Sequence, residues 1–295
     1  MILVTGGTGF VGPKVVHALR ARDLPVRCLV RDRSRARLLE TWGCKLVEGD
    51  VTDAASLRSA ARGCDAVVHL VAIIVGKPAD FERIMSQGTR DLLAAATAAG
   101  VRRFVLMSAL GTDETTKDLV PYFGAKWEME QAVKGSGLEH VIFRPSFVFG
   151  ADGGVLPTFM RLVRLLPVTP VVGSGEQRLQ PIWVEDVAAF FAESVDKAEA
   201  ANRTFELGGP DVVSWNELYD RIKRTLGKRR RSLHVPMGLM RVQAAVLEKL
   251  PKPPVTRDQL RMLEAGDNTC DVQPALETFG LSLMPLDEQL RRAAQ

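Results

Sequence analysis

The sequence predicts an α/β fold, in which a doubly wound parallel sheet is joined to a smaller, mostly helical C-terminal lobe. Three observations indicate this architecture. Short apolar runs alternate with longer helix-like segments through the first 145 residues, as βαβ units require. A glycine-rich turn separates the first apolar run from the first helical segment. After Gly150, loops rich in Gly and Pro replace the alternation and indicate a second unit.

Each element follows from its local pattern. Short β-rich runs predict strands at 1–5, 26–31, 44–48, 65–71, 103–108 and 139–144, and the run RTFEL at 203–207 indicates one more strand that returns to the sheet. The runs AVVHLVAII, RRFVLMSA and HVIFRP read as continuous apolar stretches, typical of strands buried on both faces. Helical spacing predicts helices at 10–22, 34–41, 53–61, 80–99 and 120–136, with another that starts near 184. We therefore expect a first unit formed by 1–155 and 182–208, and a smaller second unit formed by 156–181 and 209–295.

Length and composition fit a protein of this kind. The chain has 295 residues, of which 46% are hydrophobic and 25% charged, which excludes a disordered chain. An apolar stretch long enough to span a membrane is not seen, and the N-terminus lacks the basic segment of a secretory signal. The four cysteines form no CxxC pair and the four histidines show no ligand spacing, so we expect no metal site and a reducing cytoplasmic location.

The glycine-rich turn predicts a phosphate-binding site. MILVTGGTGFVG places Gly6, Gly9 and Gly12 between a strand and a helix. Glycines let the backbone approach a pyrophosphate closely, and the helix N-terminus offers free N–H groups to it. In this context the motif favours a Rossmann-type dinucleotide site over a tight turn without a ligand.

The end of the second strand indicates which dinucleotide is bound. An acid there bonds the ribose 2′-hydroxyl of NAD, whereas an arginine accommodates the 2′-phosphate of NADP. The segment CLVRDRSRAR places Arg31 at this point, with Arg33 and Arg35 close behind, and favours NADP(H). Asp32 keeps NAD(H) open, because a small register shift would make it the selector.

A second constellation carries chemistry. Ser108 ends the fifth strand, and Tyr122 and Lys126 share one face of the following helix. We expect the lysine ammonium to lower the pKa of the phenol toward neutrality, while the serine holds a substrate oxygen. This trio suits proton transfer to or from a hydroxyl during hydride exchange. The alternative is a core tyrosine and a surface lysine on an amphipathic helix.

Taken together, TGGTGFVG, GDVTD, QGTRDLLAAA, the Ser–Tyr–Lys trio, FRPSFVFG and QPIWVEDVA resemble the extended or atypical branch of the short-chain dehydrogenase/reductase superfamily. PSFVFG and VTRDQLRML resemble more closely the nucleotide-binding accessory subunit of respiratory complex I and its free-standing bacterial relatives. The resemblance implies these cofactor-binding residues: Gly6, Thr8, Gly9, Phe10, Val11, Gly12, Arg31, Asp50, Val51, Val71, Ala72, Ile73, Met107, Lys126, Pro145, Ser146, Phe147 and Val148. For Asp50, a turn or a helix cap supplied by Asp53 is the alternative.

Three departures from the family pattern bear on function. Met85 replaces the usual Asn of the fourth helix, and LVAII replaces an alanine-rich run, which makes the pocket more apolar. The complex I subunit keeps a comparable Tyr/Lys helix but is regarded as a structural piece. Two hypotheses therefore remain: an NADP(H)-dependent oxidoreductase, or a cofactor-binding structural, assembly or redox-sensing protein without turnover.

The second lobe predicts the substrate and the partners. Candidate substrate contacts are apolar apart from one arginine and one glutamine, which favours a hydrophobic carbonyl or quinone-like compound; they are Ile74, Leu110, Phe147, Leu156, Phe159, Arg178 and Gln180. The alternative is that several of them are plain core. Family members often form homodimers through the helices at 80–99 and 120–136.

The net charge of +4 is uneven, because 221–257 contains eleven Lys or Arg residues against one acid, Glu248. The basic run Lys228–Arg231 precedes an apolar helix pattern from Met237 to Leu250. Such a pairing describes either an interfacial helix that meets anionic lipid or a partner, or a packed helix behind a solvated loop. We favour the packed helix, and we expect no nucleic-acid partner because aromatic residues do not interleave with the basic ones.

Overall fold

The computed structural model describes residues 1–247 and 256–295 and confirms the predicted α/β class. Its main sheet has seven strands in the order β11-β6-β5-β4-β1-β2-β3, and every neighbouring pair is parallel. The sheet strands are β1 Ile2–Thr5, β2 Val26–Val30, β3 Lys45–Glu48, β4 Ala66–His69, β5 Arg103–Met107, β6 Glu139–Pro145 and β11 Arg203–Leu207. All seven coincide with predicted runs. The order reverses beside β1, so the carboxyl ends of β1 and β4 border the crevice where such sheets bind ligands.

The remaining elements surround this sheet or form the second unit. The other strands are β7 Val148–Phe149, β8 Val168–Val172, β9 Arg178–Leu179, β10 Ile182–Trp183, β12 Val213–Ser214 and β13 Arg231–Val235. The helices are α1 Gly12–Ala21, α2 Arg37–Thr41, α3 Ala54–Ala61, α4 Pro78–Phe81, α5 Gly88–Ala98, α6 Pro121–Lys134, α7 Leu156–Leu165, α8 Val184–Ser194, α9 Trp215–Thr225, α10 Met237–Leu247, α11 Arg257–Glu264, α12 Gln273–Phe279 and α13 Leu286–Ala294.

The chain divides into two compact units. The first comprises 1–145, 184–207 and 271–282, and the second comprises 146–183, 208–270 and 283–295. This differs from the predicted division, which placed 146–155 in the first unit and 271–282 in the second. The physical reason for the second difference is Phe279, whose ring packs 5.7 Å from that of Phe143 and 5.2 Å from that of Phe205.

The helix predicted at 80–99 is interrupted. Residues Glu82–Gln87 form a π-helix between α4 and α5, and Met85 lies within it. Wide turns of this kind free backbone carbonyls and are frequent at functional sites. Here the carbonyl of Met85 accepts a hydrogen bond from Thr89 Oγ1 at 2.6 Å. Among the described helices, none has the length and apolarity needed to cross a bilayer.

Candidate functional site

The glycine-rich turn has the backbone geometry of a phosphate cradle. Gly6 adopts a φ of +79°, in the region that side chains disfavour, and its carbonyl accepts the Gly9 N–H at 3.0 Å. A Cβ at Gly12 would lie 2.7 Å from the Cα of Gly7, so only glycine lets α1 start this close to the turn. Val11 caps α1 without a side-chain hydrogen bond. The N–H groups of the first turn are therefore left for an anion.

The exposure of the residues along the glycine-rich turn also fits a phosphate-binding site. Thr8 and Gly9 are exposed, Phe10 is half-buried, and Val11 is buried in the wall of the first unit. The polar backbone thus faces outward while the apolar side chains anchor the loop. A dinucleotide pyrophosphate fits this arrangement, and the predicted members of the cradle are brought together.

At the end of β2, the structure separates the two candidate ribose selectors. Asp32 Oδ1 accepts hydrogen bonds from Ser34 N at 2.9 Å and Ser34 Oγ at 2.6 Å, so this carboxylate caps the short helix Arg33–Ala36. The same bonds hold the pKa of Asp32 below its usual value. Arg31 is exposed and has no ion pair within the described chain.

The acids after β3 serve local turns. Asp50 Oδ1 accepts bonds from Thr52 N at 2.9 Å and Thr52 Oγ1 at 2.8 Å. Asp53 caps α3 by accepting from Ala55 N at 2.9 Å, the alternative considered for this segment. Val51 is buried beside α5. Asp50 therefore has one carboxylate oxygen already engaged in its own turn.

Beside β4, the side chain of Met85 contacts the backbone of the LVAII segment. Its Sδ accepts a hydrogen bond from Ile73 N at 3.5 Å, which is weak but holds the LVAII segment against the π-helix. Val71 and Ile73 are half-buried and pack on the core of the first unit, whereas Ala72 and Ile74 are exposed. With Met85 in place of asparagine, apolar side chains line the chain segment that follows β4.

The serine and the lysine of the trio meet at the end of β5. Lys126 is 1% exposed, and its Nζ donates a hydrogen bond to the Met107 carbonyl at 2.6 Å. Burial lowers the pKa of this ammonium to about 7. The next residue, Ser108, is 2% exposed, and its Oγ has no hydrogen-bond partner in the described residues. An orphaned buried hydroxyl costs stability, and the Ser108 Oγ is free to bond a substrate oxygen.

Tyr122 lies near this pair, yet its expected ionisation is wrong. The Lys126 Nζ is 5.9 Å from the centre of the Tyr122 ring. Burial raises the pKa of the phenol to about 12, instead of the expected fall toward neutrality. The cause is burial of the phenol, and the Lys126 ammonium donates its hydrogen bond to the Met107 carbonyl. The phenol therefore carries its proton at neutral pH.

Sequence reasoning missed the ion pair that follows this trio on α6. Glu130 is fully buried and accepts from Arg144 Nε at 2.9 Å and Arg144 Nη2 at 2.8 Å. Glu130 also favours the charged form of Lys126, one helical turn before it. The spacing of Tyr122, Lys126 and Glu130, each four residues apart, was the available signal.

His69 is a satisfied core residue. Its Nδ1 lies 2.6 Å from Thr5 Oγ1, and its Nε2 lies 3.0 Å from Thr89 Oγ1. Thr89 gives its own proton to the Met85 carbonyl, so Nε2 must be the protonated nitrogen. Burial lowers the pKa of His69 to about 3 and keeps the ring neutral. Within 1–247 and 256–295, no cluster of three His, Cys, Asp or Glu side chains could hold a metal ion.

The predicted nicotinamide wall is divided between the two units. Pro145 belongs to the first, where its carbonyl accepts the Leu110 N–H at 2.9 Å and Leu110 is buried. Ser146 belongs to the second, where its hydroxyl donates to the Gln180 carbonyl. Phe147 packs edge-on against a tryptophan of its own unit, and Val148 pairs with β10. The Ser146 proton is therefore already used.

Other predicted substrate contacts have structural partners inside the second unit. Arg178 Nε forms an ion pair with Asp267 at 2.7 Å. Gln180 donates to the Gly209 carbonyl at 2.8 Å and accepts the Cys270 N–H at 2.9 Å, so both ends of its amide hold loops together. Leu156 is fully buried, and Phe159 packs on the same core. For these last three residues the structure agrees with the alternative of plain core or scaffold.

The chain matches a protein-family model described as NAD(P)H-binding over residues 6–198. Among solved structures, the NADPH-dependent quinone oxidoreductase QOR2 of Escherichia coli, complexed with NADPH, superposes with a TM-score of 0.80 at 21% identity, covering 98% of each chain. This likeness concerns the fold.

The curated relatives include an assembly factor, a subunit of an NADH dehydrogenase and a reductase. The photosystem II assembly factor Ycf39 of Synechocystis sp. is 26% identical, with 95% of this chain and 85% of that protein covered. The mitochondrial NADH dehydrogenase (ubiquinone) 1 alpha subcomplex subunit 9 of Rattus norvegicus is 28% identical, with 98% and 79% covered. The NAD(P)H azoreductase of Xenophilus azovorans is 27% identical, with 77% and 74% covered.

Proposed function

Because the chain belongs to the NAD(P)H-binding family, within the extended short-chain dehydrogenases/reductases, we propose that it is an NADP(H)-dependent oxidoreductase for a small, hydrophobic carbonyl or quinone-like substrate. The observation that carries this proposal is the pair of buried polar groups at the end of β5. They are the Ser108 hydroxyl, which has no protein partner in the described chain, and the Lys126 ammonium. Both cost folding free energy that an apolar core would not.

The phenol would act as the acid of a reduction. A reduced nicotinamide, when bound, supplies a hydride to the carbonyl carbon of the substrate. Tyr122 gives its proton to the carbonyl oxygen, which becomes a hydroxyl, and the phenolate regains a proton from solvent. With a pKa of about 12, the Tyr122 side chain is protonated at neutral pH, which supports the reductive direction.

Ser108 and Lys126 would orient this exchange. Ser108 Oγ donates a hydrogen bond to the substrate oxygen and so satisfies its own buried hydroxyl. Lys126 would hold the nicotinamide ribose from its position beside Met107. The more apolar LVAII segment, with Ile74 exposed, supports a hydrophobic substrate.

We assign NADP(H) rather than NAD(H) on the contrast between Arg31 and Asp32. One oxygen of the Asp32 carboxylate is engaged in its helix cap, whereas the exposed guanidinium of Arg31 is available to a 2′-phosphate. Titration of the purified protein with NADPH and NADH tests this. Arg31→Ala should weaken NADPH binding by about 10- to 100-fold and leave NADH unchanged, and Asp32→Asn should alter neither. Loss of NADH binding in Asp32→Asn would reverse the assignment.

The rival function is a cofactor-binding structural, assembly or redox-sensing protein. Two observations favour it: Lys126 is held by the Met107 carbonyl, and it does not lower the pKa of Tyr122. An assembly factor and a subunit of a larger dehydrogenase are also among the relatives.

Turnover separates the two functions. NADPH oxidation would be followed with a panel of quinones, hydrophobic carbonyls and azo dyes. The oxidoreductase proposal predicts multiple turnovers with at least one class of acceptor. Tight NADPH binding without oxidation by any acceptor would favour the rival.

A further inference from the structure

The second unit carries an exposed apolar surface beside a run of cations. Two large apolar side chains of α10, Leu239 and Val242, are 59% and 63% exposed. Ala244 of the same helix is buried, and at 100° per residue Leu239 and Val242 point to the opposite side. In its described part, α10 therefore buries Ala244 and leaves these two large apolar side chains exposed. Residues 248–250 of the predicted helix lie outside the described residues.

The strand before α10 carries exposed apolar residues of its own. β13 pairs in parallel with β8, and the register sets Arg231 beside Val168 and Leu233 beside Pro170. Thr169 and Val171 are buried, so the alternate residues face outward, and Val168 and Leu233 are 38% and 53% exposed. We call Val168, Leu233, Leu239 and Val242 the apolar ridge.

The chain segment that carries most of the ridge is basic, although Arg241 of α10 is paired with Glu264 at 2.6 Å. Between Asp220 and Glu248 the chain has eight Lys or Arg residues and no Asp or Glu. Four of them are consecutive, Lys228–Arg231, and the last shares the outward face of the ribbon with Leu233. Exposed apolar side chains bordered by cations are the pattern of proteins that lie on anionic bilayers.

A cleft in the same basic region has room for a phosphate group. It has a volume of about 640 Å³ and includes four cations and two acids, namely Lys223, Arg224, Lys228, Arg230, Glu217 and Asp220. Lys223 is already paired with Asp220 at 2.7 Å. Arg230 Nε is buried and has no acceptor in the described residues, so an added anion would satisfy it.

From these observations we propose that the apolar ridge and the Lys228–Arg231 run dock the protein onto the surface of an anionic lipid bilayer. The apolar side chains enter the boundary between headgroups and acyl chains, and the cations bind lipid phosphates. A protein partner or a soluble polyanion would need only one of these two features. The juxtaposition of both is what favours a membrane.

Flotation with lipid vesicles tests the proposal on the full-length chain. Vesicles of phosphatidylcholine alone are compared with vesicles that also contain phosphatidylglycerol, at low and at high salt. The proposal predicts binding to the anionic vesicles only, weakened by salt. No binding, or equal binding to both kinds of vesicle, would overturn it.

Two double variants test the two halves of the surface. Arg229→Glu with Arg231→Glu should lower the vesicle partition coefficient at least about tenfold. The control, Lys45→Glu with Arg58→Glu, makes the same change in net charge at exposed positions of the first unit and should bind like the wild type.

The apolar half is tested by Leu239→Ser with Val242→Ser, which should also lose binding. Its control is Val212→Ser, an exposed apolar residue outside the ridge, which should not. Thermal melting and NADPH binding verify that each variant is folded. If the serine variant binds anionic vesicles as well as the wild type, the surface recognises polyanions and the membrane proposal fails.

Discussion

Lys126 gives the strongest quantitative prediction. Its side chain is only 1% exposed, and burial of the ammonium group lowers the free energy of unfolding. Its pKa falls from 10.5 to about 7 on folding. Between these values the unfolded chain binds more protons than the folded one, so stability rises with pH from about 7 to 10.5 and is constant below that window. At about pH 7 the penalty is about 4 kcal/mol.

Lys126→Met removes this penalty with little change in volume. It also loses the hydrogen bond to the Met107 carbonyl, worth about 1 kcal/mol. We therefore expect the variant to be about 3 kcal/mol more stable than the wild type near neutral pH, and the advantage to vanish as the pH approaches 10.

Urea denaturation of the cofactor-free protein across this pH range measures both quantities. The difference between the two proteins cancels contributions from other groups, such as Tyr122, whose raised pKa lowers stability only above its ordinary value of 10.0. Curves that stay parallel at every pH, or a variant less stable near pH 7, would refute the reasoning.

Three further perturbations have defined outcomes. Ser108→Ala removes an unsatisfied buried hydroxyl, so chemical denaturation should show the cofactor-free protein about 1 kcal/mol more stable, while turnover falls. Gly12→Ala forces a methyl group into the glycine-rich turn and should cost about 2–3 kcal/mol together with NADPH affinity, whereas Gly238→Ala, which meets open space, should not destabilise. Glu130→Gln removes the buried carboxylate that binds Arg144, which then keeps only its longer ion pair with Glu206, and should lower the melting temperature, at a cost of about 3 kcal/mol.

Much of the first unit could be predicted because its signals are local. Strands buried on both faces read as unbroken apolar runs, and the glycine spacing between β1 and α1 is itself the backbone requirement. The Ser108 and Lys126 meeting at the end of β5 also follows, since a strand end and one helix face are both periodic features.

What could not be predicted depends on partners far along the chain. Phe279 joins the first unit through rings on three other elements, which no local pattern announces. The expected fall in the pKa of Tyr122 was wrong because burial of the phenol, which depends on the packing around it, raises that pKa. The π-helix that contains Met85 was not predicted, because the sequence there has the spacing of a regular helix and only Gly88 interrupts it. The exposure of Leu239 could not be predicted either, because it depends on which other elements pack against α10.

Single-turnover oxidation of bound NADPH by a quinone acceptor, compared between wild type and Tyr122→Phe, tests the proposed role of the phenol most directly. Removal of the proton donor should slow the reaction by about 100-fold or more, while the NADPH dissociation constant stays the same, because the ring and its packing are retained. An unchanged rate in the phenylalanine variant would contradict the account.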